Sequence, residues 1–156
     1  LRVRPDSSST DPPRRFVIAL AMRGHRPPPD PLTLGADALR AALTLHGRPG
    51  PHRRLCTTSL TGLIATTFAG ACAERGGWGE EIVAGPSCVY ALVTVPPSRV
   101  QNLCDVVRLR VGRRARRELR WPAGERVFTL RPSVFDAGEG DVLATVRAVL
   151  ADIGTA

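Results

Sequence analysis

Two eight-residue runs constrain this chain more than any other feature: RFVIALAM at residues 15–22 and CVYALVTV at residues 88–95. Neither keeps a steady apolar/polar alternation, so as strands both would present apolar side chains to the two faces of a sheet. Such strands need cover above and below. The pattern therefore predicts two neighbouring interior strands with helices packed against them.

Period and punctuation supply the helices. Leu34, Leu39, Ala42, Leu43 and Leu45 follow Asp30-Pro31 and run to His46 before Gly47, which predicts a helix near 31–46 capped by Asp30. Leu60, Leu63, Ile64, Phe68 and Ala71 share one face of a helix near 59–75, ended by Gly76 and Gly77. Ser98 is placed to cap a helix near 98–105, and Val142, Leu143, Val146, Val149, Leu150 and Ile153 mark another near 140–153. Short strands are expected near 53–57, 118–121 and 126–131, the last two as a hairpin through Pro-Ala-Gly-Glu, with a further one at 81–84.

Residues 105–120 fit two templates. VVRLRV alternates at the strand period, whereas Val100, Leu103, Val107, Val111, Ala115 and Leu119 form one helical stripe. Gly112 tilts the reading to a strand near 106–111. Strands alternating with helices, then a meander, indicate an α+β (mixed α/β) fold with helices on a central sheet, in one soluble domain over residues 14–156. LRVRPDSSSTDPP, residues 1–13, has the composition of a flexible N-terminal arm.

No run approaches the roughly 20 apolar residues that span a bilayer, so membrane insertion is not expected. No signal-peptide pattern follows Leu1, and an intracellular location is favoured over a secreted one. Cysteines 56, 72, 88 and 104 lack the close pairing of a zinc site. Four buried thiols are the main expectation and two disulfides the alternative.

All 22 basic residues are arginine, which a high-GC genome explains without invoking function. Their placement is more informative. Residues 108–120 hold seven arginines and one glutamate, so Arg108, Arg110, Arg113, Arg114, Arg116, Arg117 and Arg120 are the candidate contacts to an acidic protein surface or a nucleic acid. With only four Phe, two Trp and one Tyr, few rings are available to stack bases, which weakens the nucleic-acid reading.

Nucleotide-cradling loops, nucleophile elbows and HExxH are absent from the sequence, and neither cofactor nor metal is expected. One layout is similar to the histidine phosphatases: a strand ending MRGHR, then DPLTLGADALRAAL, RRLCTTSLTGLIATT and ALVTVPPSRVQNL. It departs from that family at His25, which follows Gly24 instead of arginine, at Thr61 or Thr66, where a second arginine is expected, and at Val95, in place of the second histidine. The resemblance implies at most a lapsed relative. The alternative expectation is an enzyme or lapsed enzyme of this layout acting on a phosphorylated small molecule, with Arg23, His25, Arg26, Arg53 and Arg54 as an alternative anion pocket. The main expectation is a non-catalytic interaction module, a subunit of a larger assembly, presenting its arginine-rich segment to an acidic or polyanionic partner.

Overall fold

The computed structural model describes residues 11–48, 55–129 and 131–155. In chain order its elements are β1 (Arg14–Ala21), α1 (Ala36–His46), α2 (Thr58–Glu74), β2 (Trp78–Ala84), β3 (Cys88–Val95), α3 (Val100–Glu118), β4 (Ser133–Asp136) and α4 (Ala144–Thr155), with a single 3-10 turn at Pro97–Arg99 before α3. The fold is mixed α+β. The four strands form one antiparallel sheet in the order β2-β3-β1-β4.

The two apolar runs are the interior pair, as their composition requires. β1 lies against β3 from Arg14 opposite Val95 to Ala21 opposite Cys88. On one face Ile18, Leu20, Val89, Ala91 and Val93 pack under α2 and α3; on the other, Val17, Ala19, Tyr90 and Leu92 pack under α1 and α4. The path β1-α2-β2 straddles β3, and β3-α3-β4 straddles β1, which is the split βαβ arrangement of ferredoxin-like folds.

Several expectations are corrected. The predicted strand at 106–111 and helix at 98–105 are one helix, α3, whose Leu103, Cys104, Val107, Val111 and Ala115 are all buried. Burying these side chains outweighs the roughly 1 kcal/mol that Gly112 costs a helix interior. The strand predicted at 118–121 is therefore the end of α3 and the turn after it, and among the described residues no 118–121/126–131 hairpin forms. Instead Phe128 bridges to Met22, while Arg23 N–H donates to the Val127 carbonyl and Thr129 N–H to the Ala21 carbonyl, both at 2.9 Å. This segment continues β1's edge beyond β4, a strand that the sequence reading did not include.

The helix predicted from residue 31 starts at Ala36. Asp30 holds a local turn instead, accepting from Leu32 N–H at 2.8 Å and from the Thr33 hydroxyl at 2.9 Å, and Gly35 stands at the N-cap. Of the strand predicted at 53–57, residues 53 and 54 lie outside the described residues. Residues 55–57 are irregular, with Thr57 capping α2 by accepting from Leu60 N–H at 3.2 Å. Ser98 lies in the 3-10 turn and caps nothing; its N–H donates to Asp11 Oδ2 at 3.0 Å. Residues 1–10 of the predicted arm lie outside the described residues.

The outer strand β2 is tied down. Glu80, the extra residue of a bulge in β2, accepts from Arg15 at 3.0 Å and Thr94 at 2.7 Å, while Glu81 takes Arg147 of α4. Two glycines before and within these elements have opposite roles. A Cβ on Gly77 would lie 2.0 Å from the Thr94 carbonyl oxygen, whereas one on Gly70 of α2 would meet nothing. In urea denaturation, Gly77→Ala should lower stability by about 1–3 kcal/mol, and Gly70→Ala should raise it by about 0.5–1 kcal/mol.

Candidate functional site: an arginine furrow beside α3

The helix sorts the seven candidate arginines by the neighbour each one meets. Arg110 grips Glu74 of α2 through two 2.7 Å hydrogen bonds. Arg114 donates to the Leu63 carbonyl at 3.3 Å and to the Thr66 and Thr67 hydroxyls at 2.6 and 3.0 Å, while its Nε donates to Glu118 at 2.9 Å. These two arginines fasten α3 to α2. Their hydrogen bonds hold the Glu74 and Glu118 carboxyls below the usual range, Arg117 adding to the effect at Glu118. Any stability from that preference is present above the ordinary carboxylate range and is lost as pH falls through the depressed values.

Arg108 pairs with Asp105 at 3.0 Å, and Arg117 with Glu118 at 3.2 Å. Arg113, Arg116 and Arg120 have no ionic partner among the described residues. Arg120 has φ 55, the left-handed region, and turns the chain away from the helix end. Gly124 at φ 81 makes a further left-handed turn. The chain then runs back beside α3, and a furrow opens between them.

Its central part, about 370 Å³, is lined by Arg108, Leu109, Gly112 and Arg116 of α3 and by Glu125, Arg126 and Phe128 opposite. A depression of about 560 Å³ shares Arg108 and continues to Gln101, Arg131 and Pro132. Another, of about 390 Å³, shares Gly124, Arg126 and Phe128 and reaches Arg23. Arg23, Arg108, Arg116, Arg126 and Arg131 thus face only two carboxylates among the described lining residues, Asp105 and Glu125. Arg126 and Arg131 escaped the sequence reading because they sit outside the dense run. Only the return of residues 124–129 and of Arg131 and Pro132 beside α3 brings them to it.

Of the alternative pocket, His25 and Arg26 line one cleft. Arg23 pairs with Glu125 at 2.8 Å and lines the furrow, and Arg53 and Arg54 lie outside the described residues. His25 is 5% exposed and stacks on His46 with ring centroids 5.3 Å apart. Its Nδ1–H donates to the His46 carbonyl at 2.9 Å. His46 donates through Nε2 to the Arg26 carbonyl, so in the neutral ring Nδ1 accepts from the Ser87 hydroxyl at 2.7 Å. These imidazoles hold the loop after β1 against α1 and the β2–β3 turn.

The four cysteines are free thiols. Burial pushes Cys72 up to about 11 and Cys88 and Cys104 up to about 12; Cys56, half-buried, is raised less. No helix among the described residues is long and apolar enough to cross a membrane. No protein-family model matches this sequence, and no curated protein matches it significantly.

Two measurements follow from this geometry. Arg114→Ala should cost about 1–3 kcal/mol in chemical denaturation because it strips α2 acceptors of their donor, while Arg113→Gln should change stability by no more than about 0.5 kcal/mol. Native thiol labelling followed by mass spectrometry should modify Cys56 first, with Cys72, Cys88 and Cys104 reacting only on unfolding.

Proposed function

We propose that this chain is a non-catalytic interaction module, a subunit of a larger assembly, whose furrow receives an extended acidic segment of a partner protein. The observation that carries this reading is the imbalance of five arginines against two carboxylates along three adjoining depressions that share lining residues. From Gln101 to Arg116 the helical side of the furrow runs for about 22 Å. An extended peptide rises about 3.3 Å per residue, so roughly six or seven residues fit alongside. Leu109, 52% exposed, offers an apolar contact among the guanidinium groups.

A protein segment suits this surface better than a nucleic acid. RNA-binding modules with a four-stranded sheet stack bases on aromatic residues of its open face. Here α1 and α4 cover one sheet face and α2 and α3 the other. The aromatic side chain in the furrow, Phe128, is itself only 4% exposed. Guanidinium forks match carboxylates as well as phosphates, and a carboxylate-rich peptide needs no stacking surface.

The triple variant Arg116→Gln, Arg126→Gln, Arg131→Gln tests the reading, because these exposed side chains have no ionic partner among the described residues. Folding should be unchanged within about 0.5 kcal/mol per site. A fluorescent glutamate-rich peptide should bind the parent and lose at least about tenfold in affinity with the variant. Tighter binding of a duplex DNA, with a log-log salt slope flattened by roughly 3 units in the variant, would replace the acidic segment with a nucleic acid. Equal binding by parent and variant at low salt would reduce the furrow to a solvated face.

A further inference from the structure

A second concavity lies between the loop after β1 and the last turns of α1. It encloses about 440 Å³, within the range of roughly 300–1,000 Å³ that small organic ligands occupy. We propose that it binds a small amphipathic anion, an oxyanion head group carrying a short apolar body. This site is separate from the furrow and does not depend on its partner.

The chemistry of the walls sets the ligand class. Arg26 and Arg48, both exposed residues, line the cleft, and no carboxylate is among the described lining residues. Ala42, Leu45, Pro27 and Pro29 give the cleft its apolar surface. Leu45 is 62% exposed, a large aliphatic side chain without cover on an otherwise amphipathic helix. An ion without an apolar body would leave it uncovered, and an apolar molecule without a charge would bring no counter-charge to Arg26, which has no ionic partner among the described residues.

The cleft is also preorganised. His46 is held between the Arg26 carbonyl and Ser87, and His25 is held by the His46 carbonyl. Tyr90 donates to the Pro29 carbonyl at 2.7 Å, and the prolines fix their own φ angles. Little ordering remains for a ligand to impose. The carbonyl end of α1 would oppose an anion, but several of its oxygens are already used: Leu43 accepts from Gly47 N–H at 3.0 Å, Leu45 from Arg48 N–H at 3.3 Å, and His46 from His25.

Amide-resolved NMR titration of the full chain at constant ionic strength tests the proposal with octanoate, octyl phosphate, inorganic phosphate and octylammonium. Octanoate, octyl phosphate or both should give saturable shifts confined to His25, Arg26 and the amides of residues 42–48; their relative affinities identify the preferred head group. Inorganic phosphate should bind at least about tenfold more weakly than the better octyl anion, and octylammonium should not saturate the site. Arg26→Gln should weaken the octyl anions about tenfold, with Arg26→Lys restoring part of the loss. Leu45→Ser should weaken the octyl ligands without changing phosphate binding. Both positions are exposed, and an unchanged spectrum elsewhere would verify the fold. Equal affinity for octylammonium, shifts scattered over the surface, or Arg26→Gln binding like the parent would overturn the proposal. Loss of octanoate binding in Arg116→Gln, Arg126→Gln would place the anion in the furrow and also overturn it.

Discussion

The pairing of β1 with β3 is the constraint on which the remaining structure depends. Every residue of β3 is buried, as are the last six of β1, so neither sheet face at the centre can be left to solvent. Four helices meet that demand, two on each face. With the sheet faces occupied, the surface left to solvent consists of helix flanks, loops and strand ends. Both concavities described above lie there, and both are anchored near the end of β1. Met22 bridges to Phe128 on the furrow side and accepts from His25 N–H on the cleft side.

Clustered charge within one helix does not make its members equivalent. Arg110 and Arg114 point to acceptors on α2, so their removal weakens helix packing before it affects any partner. Arg116 lines the furrow without an ionic partner among the described residues. Arginine can serve both tasks because its planar fork fixes geometry at a carboxylate or hydroxyl, while its long stem covers apolar surface. Charge counting registers the run as a whole. The helical angle and the neighbouring element decide what each residue does.

The parts of the fold legible in the sequence were those in which a local pattern admitted one burial solution. RFVIALAM and CVYALVTV have apolar side chains for two faces, and the 59–75 helix has one apolar stripe with a glycine stop. The 105–120 segment admitted two solutions. Its strand-like alternation, VVRLRV, includes residues that also continue the Leu103–Val107–Val111–Ala115 stripe, and packing against α2 decides between them. β4 is short and preceded by Arg131-Pro132, so no strand period announces it. The furrow was only half legible: the α3 arginines were visible as a cluster, but Arg126 and Arg131 join them through a tertiary reversal.

That reversal carries a conformational cost. A non-glycine residue in the left-handed region costs on the order of 1 kcal/mol or more, and Arg120 accepts that conformation immediately after the helix. The turn is held by backbone bonds from Leu119 and Trp121 N–H to the Ala115 carbonyl, at 2.9 and 3.1 Å. Gly124, also left-handed, carries no comparable penalty. Together they send 125–129 back beside α3, where Val127 and Phe128 are buried and the backbone extends the edge of β1. Burial of those two side chains, worth about 1.5–3 kcal/mol each, is sufficient to offset the strain at Arg120. Arg126 is carried to the furrow between Glu125 and the buried Val127. The same packing that stabilises the return thus assembles the charged surface, so the furrow needs no separate energetic support.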